Sequence, residues 1–332
     1  MQMRKMGKGG ASISALGIGA MSFSNFYGPT DETASHAILD AALELGVSHV
    51  DTSNVYGMGG SEKAIGSFLA ARSGARDRFH IATKAGITKN ADGKRCYDNS
   101  LAHLEAELDG SLARMGIDCV DLFYIHRRQA EMPIEEATEN LAALVKKGKA
   151  RAIGFSEIAP ASLRRAALVH PVAAVQSEYS LSTRAPELGL LQACAELGTA
   201  LVAFSPVGRS LLTDTPLSRQ AMAASDFLAG NPRFTEPNLS ANLAITDRFR
   251  TLAAEMGVPA AALSIAWLLH RGDHVIPIPG TRSVGHFREL VAGCDLTLTE
   301  DDMARIETLL PVGWAHGDRY SDAQWIGPER FC

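Results

Sequence analysis

Cysteine is scarce and scattered. Cys96, Cys119, Cys194, Cys294 and Cys332 are odd in number, and none belongs to a Cys-x-x-Cys pair. That spacing argues against a disulfide framework and a zinc site, and fits a reducing compartment. Cys332 has no lipidation sequence upstream and reads as an incidental thiol. Long apolar runs are missing too. No stretch approaches the ~20 residues a bilayer span needs, and the opening MQMRKMGKGG lacks the apolar core of a secretory signal. The expectation is a soluble, cytoplasmic protein without a membrane role. There is no basic tract: 37 acidic and 32 basic residues leave a formal net charge of −5. A nucleic-acid backbone therefore has no evident partner surface. His80 and His103 lack a second ligand at metal spacing, so no metal is expected. Gly57-Met58-Gly59-Gly60 follows a strand pattern but lacks the Gly-x-Gly-x-x-Gly spacing of a dinucleotide-binding turn.

What is present is alternation. Apolar residues make up 46% of the chain, enough for a large core. Short apolar runs stand at 16–20, 47–51, 79–84, 119–125, 149–155, 172–176, 199–204 and 274–278. Between them lie helical patterns near 31–45, 60–72, 99–115, 134–147, 160–169, 186–197, 238–256 and 283–291. In the first helix Ile38, Ala41, Ala42 and Leu45 share one face, Thr30 stands at the N-cap, and Gly46 at the stop. Strict alternation implies a parallel sheet, and eight strands close naturally into an α/β (β/α)8 TIM barrel. The length of 332 residues would allow two domains of ~150 residues each, but barrels of this size form one, so 1–332 is read as a single domain. Residues 2–14 read as a hairpin around Gly9-Gly10 that plugs the barrel bottom. Residues 205–237 read as a lid, and extra helices are expected near 259–270 and 300–310.

Barrel active sites lie at the C-terminal strand ends. Strand two ends in Asp51 and is followed by the loop TSNVYG with Tyr56; strand three ends in Lys84 and strand four in His126. Each alone has an ordinary explanation: a turn former, a packed ring, a solvated end, a satisfied polar group. Together they bring an acid, a phenol, an ammonium and an imidazole to one rim. That set suits the protonation of a carbonyl as it accepts hydride. A phenol is a weak acid, with a reference pKa of about 10. An ammonium ~4 Å away stabilises the phenolate by about 4 kcal/mol at an effective dielectric of 20. Asp51 would hold Lys84, and His126 would bond the substrate oxygen.

DTSNVYG and the strand ends at Lys84 and His126 closely resemble the aldo-keto reductase superfamily. The likeness continues through the opening MQMRKMGKGGASISALGIGAM, the FYGP loop, PIEEATENLAALVKKGKARAIGFSE, AAVQSEYSLSTR, AFSPVGRSLLT, NPRFTEPNL and PIPGTRS. The combination is similar to the bacterial broad aldehyde reductases and to pyridoxal reductases. The resemblance implies that Tyr56 is the general acid of a tetrad with Asp51, Lys84 and His126. It also implies an NADPH site, with NADH possible. Ser156, Glu157 and Gln176 would face the nicotinamide carboxamide, and Met21 would join them. Phe204 and Ser205 end strand seven; Phe204 keeps a stacking face where the family usually has Tyr. Gly208 and Arg209 would serve the pyrophosphate. Gly280, Thr281, Arg282 and His286 would meet the adenosine phosphates at a helix start.

The chain departs from the family pattern at His286 and Leu290, where Gln or Arg and Asn are common. It also departs at Ser182, where relatives carry Trp, and after His126, where Arg127-Arg128-Gln129-Ala130 replaces Arg-x-Asp-Pro. Phe26, Tyr27, Met58 and Phe234 are expected to line an apolar substrate pocket, with Arg127 as an anion contact. The leading reading is an NADPH-dependent reductase of small aldehydes or ketones. An NAD-dependent sugar or polyol dehydrogenase and a nucleotide-sensing regulatory subunit remain alternatives.

Overall fold

The chain opens with an antiparallel hairpin, β1 (Met3–Lys5) and β2 (Ser12–Ser14). The computed structural model describes residues 1–330 and 332. The hairpin is followed by β3 (Ile18–Gly19), α1 (Glu32–Leu45), β4 (His49–Asp51), α2 (Gly60–Ala71), α3 (Ala75–Arg78) and β5 (His80–Ala85). A second small hairpin, β6 (Ile87–Lys89) and β7 (Arg95–Tyr97), precedes α4 (Leu101–Met115), β8 (Leu122–Ile125), α5 (Ile134–Lys146), β9 (Ile153–Ser156) and α6 (Pro160–Val169). Then come β10 (Ala174–Glu178), α7 (Leu190–Leu197), β11 (Ala200–Phe204), α8 (Arg219–Ala223), α9 (Asp226–Ala229), α10 (Asn238–Glu255) and α11 (Ala260–Leu269). The last are β12 (Val275–Pro277), α12 (Val284–Ala292) and α13 (Glu300–Leu309).

All eight expected strands are present, in the parallel order β12-β11-β10-β9-β8-β5-β4-β3. Two backbone bonds join the ends of this sheet: Gly17 N–H donates to Pro277 O and Gly19 N–H to Pro279 O, both at 2.9 Å. The sheet is thereby a closed (β/α)8 barrel. Its strands are buried on both faces, which is why β8 (LFYI) and β11 (ALVAF) read as unbroken apolar runs. β8, β9 and β10 have no exposed residue.

The barrel interior is filled by Ala82, Leu122, Tyr124, Ala174, Ala200, Val202 and Ile276. Gly154 makes room for the largest of these. A Cβ there would sit 2.5 Å from the Tyr124 ring. Met6 and Ile13 from the N-terminal hairpin join the same cluster and close the bottom, as expected. Arg4 fixes that plug by donating to the carbonyls of Leu269 at 2.6 Å, Gly272 at 2.9 Å and Val275.

The outer helices bury one stripe each. On α5 it is Ile134, Ala137, Leu141 and Leu144. The first helix start differs from expectation by one residue. Asp31, not Thr30, is the N-cap, accepting from Ala34 N–H at 2.7 Å. Thr30 is held outside the helix because its own N–H donates to Asn25. The 205–237 segment forms a small core from Leu211, Met222, Leu228 and Phe234, joined by Leu239 of α10. It is stitched to the C-terminal tail by Asn231 to Arg319 O at 2.5 Å and by Gln324 to Phe227 O at 3.1 Å. Among the described residues no single helix is long and apolar enough to cross a membrane.

His49 on β4 and His80 on β5 meet low in the wall, Nδ1 to Nδ1 at 3.1 Å. Burial pushes His49 down to about 4 and His80 down to about 3, the latter helped by the neighbouring ring. Both are held below the unfolded value of about 6.5. The unfolded chain therefore takes up protons first as pH falls. The stabilisation is complete above about pH 6.5 and is lost as pH drops toward 4. We expect the melting temperature to fall between pH 7 and pH 5, more gently in His49→Asn. Equal slopes for the two proteins in thermal melts would contradict this.

Candidate active site

The three strand ends β4, β5 and β8 are direct neighbours, with Asp51 opposite Ala82 and Lys84 opposite Tyr124. This registry carries Asp51, Lys84 and His126 to one rim. Tyr56 comes from the loop after β4. That loop is pinned by its backbone: Thr52 N–H donates to Ala82 O, Asn54 N–H to Lys84 O, and Tyr56 N–H to Ser53 O. Side chains add to it. Thr52 and Ser61 hydroxyls meet at 2.8 Å, and Asn54 donates to Glu107 at 2.7 Å.

Lys84 is fully buried, and its amine has three acceptors. They are Asp51 Oδ1 at 2.5 Å, Thr52 O at 2.8 Å and Tyr56 Oη at 3.4 Å. Three donated bonds require the ammonium form. Burial alone would lower this lysine, but the charge of Asp51 raises it above its usual value. Asp51 is raised as well, because its burial is only partly offset by Lys84 and by Gln176. Gln176 Nε2 donates to the second Asp51 oxygen at 2.8 Å. The pair is thus a buried, fully bonded ion pair whose ammonium is aimed at the phenol.

His126 has a different state. Burial, then the charges of Arg127, Lys84 and Arg95, push it well below the usual imidazole range. It is neutral at pH 7. Its Nδ1 lies 3.0 Å from the Ser53 hydroxyl. Ser53 has one proton to give, and Nδ1 at 3.0 Å is nearer than Lys84 O at 3.3 Å; donation to Nδ1 places the ring proton on Nε2. The rings of Tyr56 and His126 stand edge to face, 5.7 Å between centroids.

Above these groups lies a cavity of about 1380 Å³. Small-molecule sites commonly enclose about 300–1,000 Å³, so this one holds more than a small carbonyl compound. Its wall strains the backbone. Among the described residues five non-glycines have left-handed φ: Met58, Glu157, Ser205, Arg209 and Ser210. Four of them line the cavity, and Glu157 directly follows the lining residue Ser156. Such strain gathers where surrounding structure holds a site in shape.

Most of the expected site residues border this space. Asp51, Tyr56 and His126 do, while Lys84 lies behind Tyr56. Met21, Ser156, Gln176, Phe204, Ser205, Gly280, Thr281, Arg282 and His286 line it, as do Phe26, Tyr27 and Arg127. Met58 lines it too, at the lip, where it is 88% exposed.

Three residues stand elsewhere. Glu157 is turned inward, where its carboxylate pairs with Arg319 at 2.8 Å and accepts from Glu178 N–H at 3.0 Å. The Arg319 charge holds it below the usual carboxylate range, against the effect of burial. It is not free to face a nicotinamide. Gly208 does not border the cavity and turns the chain at φ +58°. Phe234 belongs to the small core of the 205–237 segment. Arg209 borders the cavity, but its terminal nitrogens are committed to Glu178 and to Arg319 O. Its guanidinium lies over the rings of Phe227 and Tyr320, 4.9 and 5.3 Å from their centroids. It braces the aromatic roof rather than a pyrophosphate.

Several lining residues had no sequence expectation: Ile87, Lys89 and Arg95 from the β6–β7 hairpin, and Tyr320 and Gln324 from the tail. For the hairpin a signal existed. Asp92-Gly93 stands between two short alternating runs, the usual mark of a tight β-turn. The tail has no periodicity to read.

Comparison with known proteins follows the same lines. The profile of the aldo/keto reductase family matches residues 15–311. An aldo-keto reductase of Schizosaccharomyces pombe, whose name specifies NADP(+), is 37% identical over 316 residues, 94% of this chain and 93% of its own. Among solved structures, the glycerol dehydrogenase of Gluconobacter oxydans superposes with a TM-score of 0.80 at 27% identity, covering 93% of this chain and 94% of its own. An aldo-keto reductase of Bacillus halodurans in its holo form gives 0.77 at 26% identity, covering 98% and 99%.

Proposed function

Since the chain belongs to the aldo/keto reductase family and is an oxidoreductase, we propose that it reduces aldehydes or ketones to alcohols with NADPH, using Tyr56 as the acid. The observation that carries this is the Lys84 ammonium. It is locked by two acceptors and points its third N–H at Tyr56 Oη on the cavity floor. The phenol oxygen accepts from Lys84, so its own proton is free to point into the cavity. As that proton moves to a substrate oxygen, the ammonium stabilises the phenolate left behind. His126 is neutral and serves as a hydrogen-bond donor from Nε2 to the same oxygen, not as the acid. Asp51 keeps the lysine charged, and Gln176 keeps Asp51 oriented.

The residues fit a nicotinamide dinucleotide. Phe204 offers an aromatic face, and Ser156 and Gln176 offer polar groups beside it. At the far end Arg282 has no carboxylate partner among the described residues and bonds only Pro29 O, at 2.8 Å. It stands at the start of α12, whose first N–H groups favour an anion. When bound, the reduced cofactor supplies the hydride. Leu290 brings no polar atom to that end. This keeps a second reading in view, oxidation of a polyol with NAD, which the similarity to a glycerol dehydrogenase also favours.

The test is nicotinamide absorbance over aldehydes, ketones and polyols with both cofactors. We expect aldehyde turnover with NADPH. Arg282→Ala should raise KM for NADPH roughly tenfold, the worth of one charge-assisted bond, and leave NADH little changed. Polyol oxidation with NAD alone would favour the second reading, and no turnover with any carbonyl compound would refute the first.

A further inference from the structure

One part of the cavity wall is not explained by cofactor or tetrad. The β6–β7 hairpin grows directly out of β5, the strand that carries Lys84, and it brings Ile87, Thr88, Lys89 and Arg95 to the cavity. Lys89 and Arg95 are the directly opposed pair that closes this ladder. Like charges placed opposite each other destabilise a strand pair; here both side chains are exposed to solvent, and Arg95 lies over the Tyr97 ring at 5.6 Å. Among the described residues neither cation has a carboxylate within salt-bridge distance. Of the other lining charges nearby, one is paired with a carboxylate and the other keeps its charge beside a neutral amide. Arg114 pairs with Glu62 at 2.6 Å, and Glu107 accepts from Asn54.

A third cation faces the same region. Arg127 directly follows His126, is nine-tenths buried, and lines the cavity. It donates to His126 O at 2.6 Å and to Ser156 Oγ at 3.0 Å, both from one terminal nitrogen. Its Nε is buried without a partner. Among the described residues no carboxylate lies within salt-bridge distance of it; the buried Glu157 feels its charge but is already paired with Arg319. The field of Arg127 and Arg95 reaches His126, where both lower the imidazole. Three cations with no salt-bridge partner among the described residues thus line the cavity beside the reacting groups, in a protein whose net charge is −5. Such a concentration of one sign raises the local concentration of the opposite one.

We infer that Lys89 and Arg95, with Arg127, form a specificity site for an acidic group on the substrate, so that the preferred carbonyl compounds are anionic oxo acids or oxo phosphates. The inference rests on the reductase reading above and deepens it. The substrate would enter with its acidic end toward the hairpin and its carbonyl toward Tyr56. Arginine suits either acid, because its planar fork matches both carboxylate and phosphate oxygens.

The experiment compares matched pairs. Succinic and adipic semialdehydes are assayed with NADPH against their own primary amides, and glyceraldehyde phosphate against glyceraldehyde. The expected result is a preference for the anion of roughly tenfold in kcat/KM at low ionic strength, shrinking as salt screens the field. Lys89→Gln with Arg95→Gln should bring the ratio of anion to amide close to one, mainly through KM. A larger effect in the phosphate pair identifies an oxo phosphate, and in the semialdehyde pairs an oxo acid. Either outcome supports the inference. A ratio near one in the parent enzyme, or a ratio untouched by the double substitution, overturns it. If no aldehyde is reduced at all, the reductase reading fails by itself. Titration calorimetry with adipic semialdehyde then decides the site: binding that the double substitution abolishes sustains it, and equal binding by both proteins refutes it.

Discussion

Tyr56→Phe is expected to lower kcat for aldehyde reduction by about 10²–10⁴-fold, the usual worth of a positioned acid, while NADPH binding is retained. The other candidates are excluded by their own bonding. Lys84 spends three N–H groups on Asp51, Thr52 and Tyr56 and lies behind the phenol. His126 is held far below its ordinary range and carries no extra proton at pH 7. Tyr27 and Tyr320 also line the cavity, but burial pushes both phenols up to about 12; among the described residues Tyr56 is the cavity phenol whose oxygen accepts from a lysine ammonium. The substitution removes one oxygen and one long bond, so the fold should not suffer. Single-turnover rates and cofactor titration by fluorescence would check both halves. Parent-like turnover in Tyr56→Phe would show that the proton comes from elsewhere.

Lys84→Met should have the second large effect, and for two separable reasons. The methionine cannot stabilise a phenolate, so turnover falls as it does for Tyr56→Phe. It also leaves the Asp51 carboxylate buried and unpaired, which typically costs about 3–5 kcal/mol of stability. Burial already raises Asp51, so part of that loss will be relieved by proton uptake. Adding Asp51→Asn removes the orphaned charge. The double variant should recover most of the melting temperature and none of the activity. If activity returned along with stability, Lys84 would be a structural residue only.

Much of this was readable in the sequence, for identifiable reasons. Parallel strands covered on both faces tend to be apolar, so β8 and β11 stood out as runs, while β9 and β10 turn polar only toward the site end. The amphipathic helices between them announced the alternation. The meeting of Asp51, Lys84 and His126 was legible because strand ends in a barrel share one rim, and each of the three closes a strand pattern. Long-range ion pairs were not legible. Nothing local tells that Glu157 meets Arg319, 162 residues later, or that Arg209 turns to Glu178. Both looked like free site residues. The aperiodic tail hid Tyr320 and Gln324 for a related reason: irregular chain is placed by its partners, not by its own pattern.

Seven seams of the barrel are zipped by strand ladders, and the eighth is held by the amides of Gly17 and Gly19. The cavity straddles that eighth seam, with Met21 and Ser22 on one bank and Gly280 to Ser283 on the other. A ligand lying there acts as a clasp. Part of its binding energy goes into holding the two banks together, so opening of the empty barrel should begin at this line. The two glycine amides would then be sentinels of occupancy, slow to exchange their hydrogens when the clasp is shut and quick when it is not.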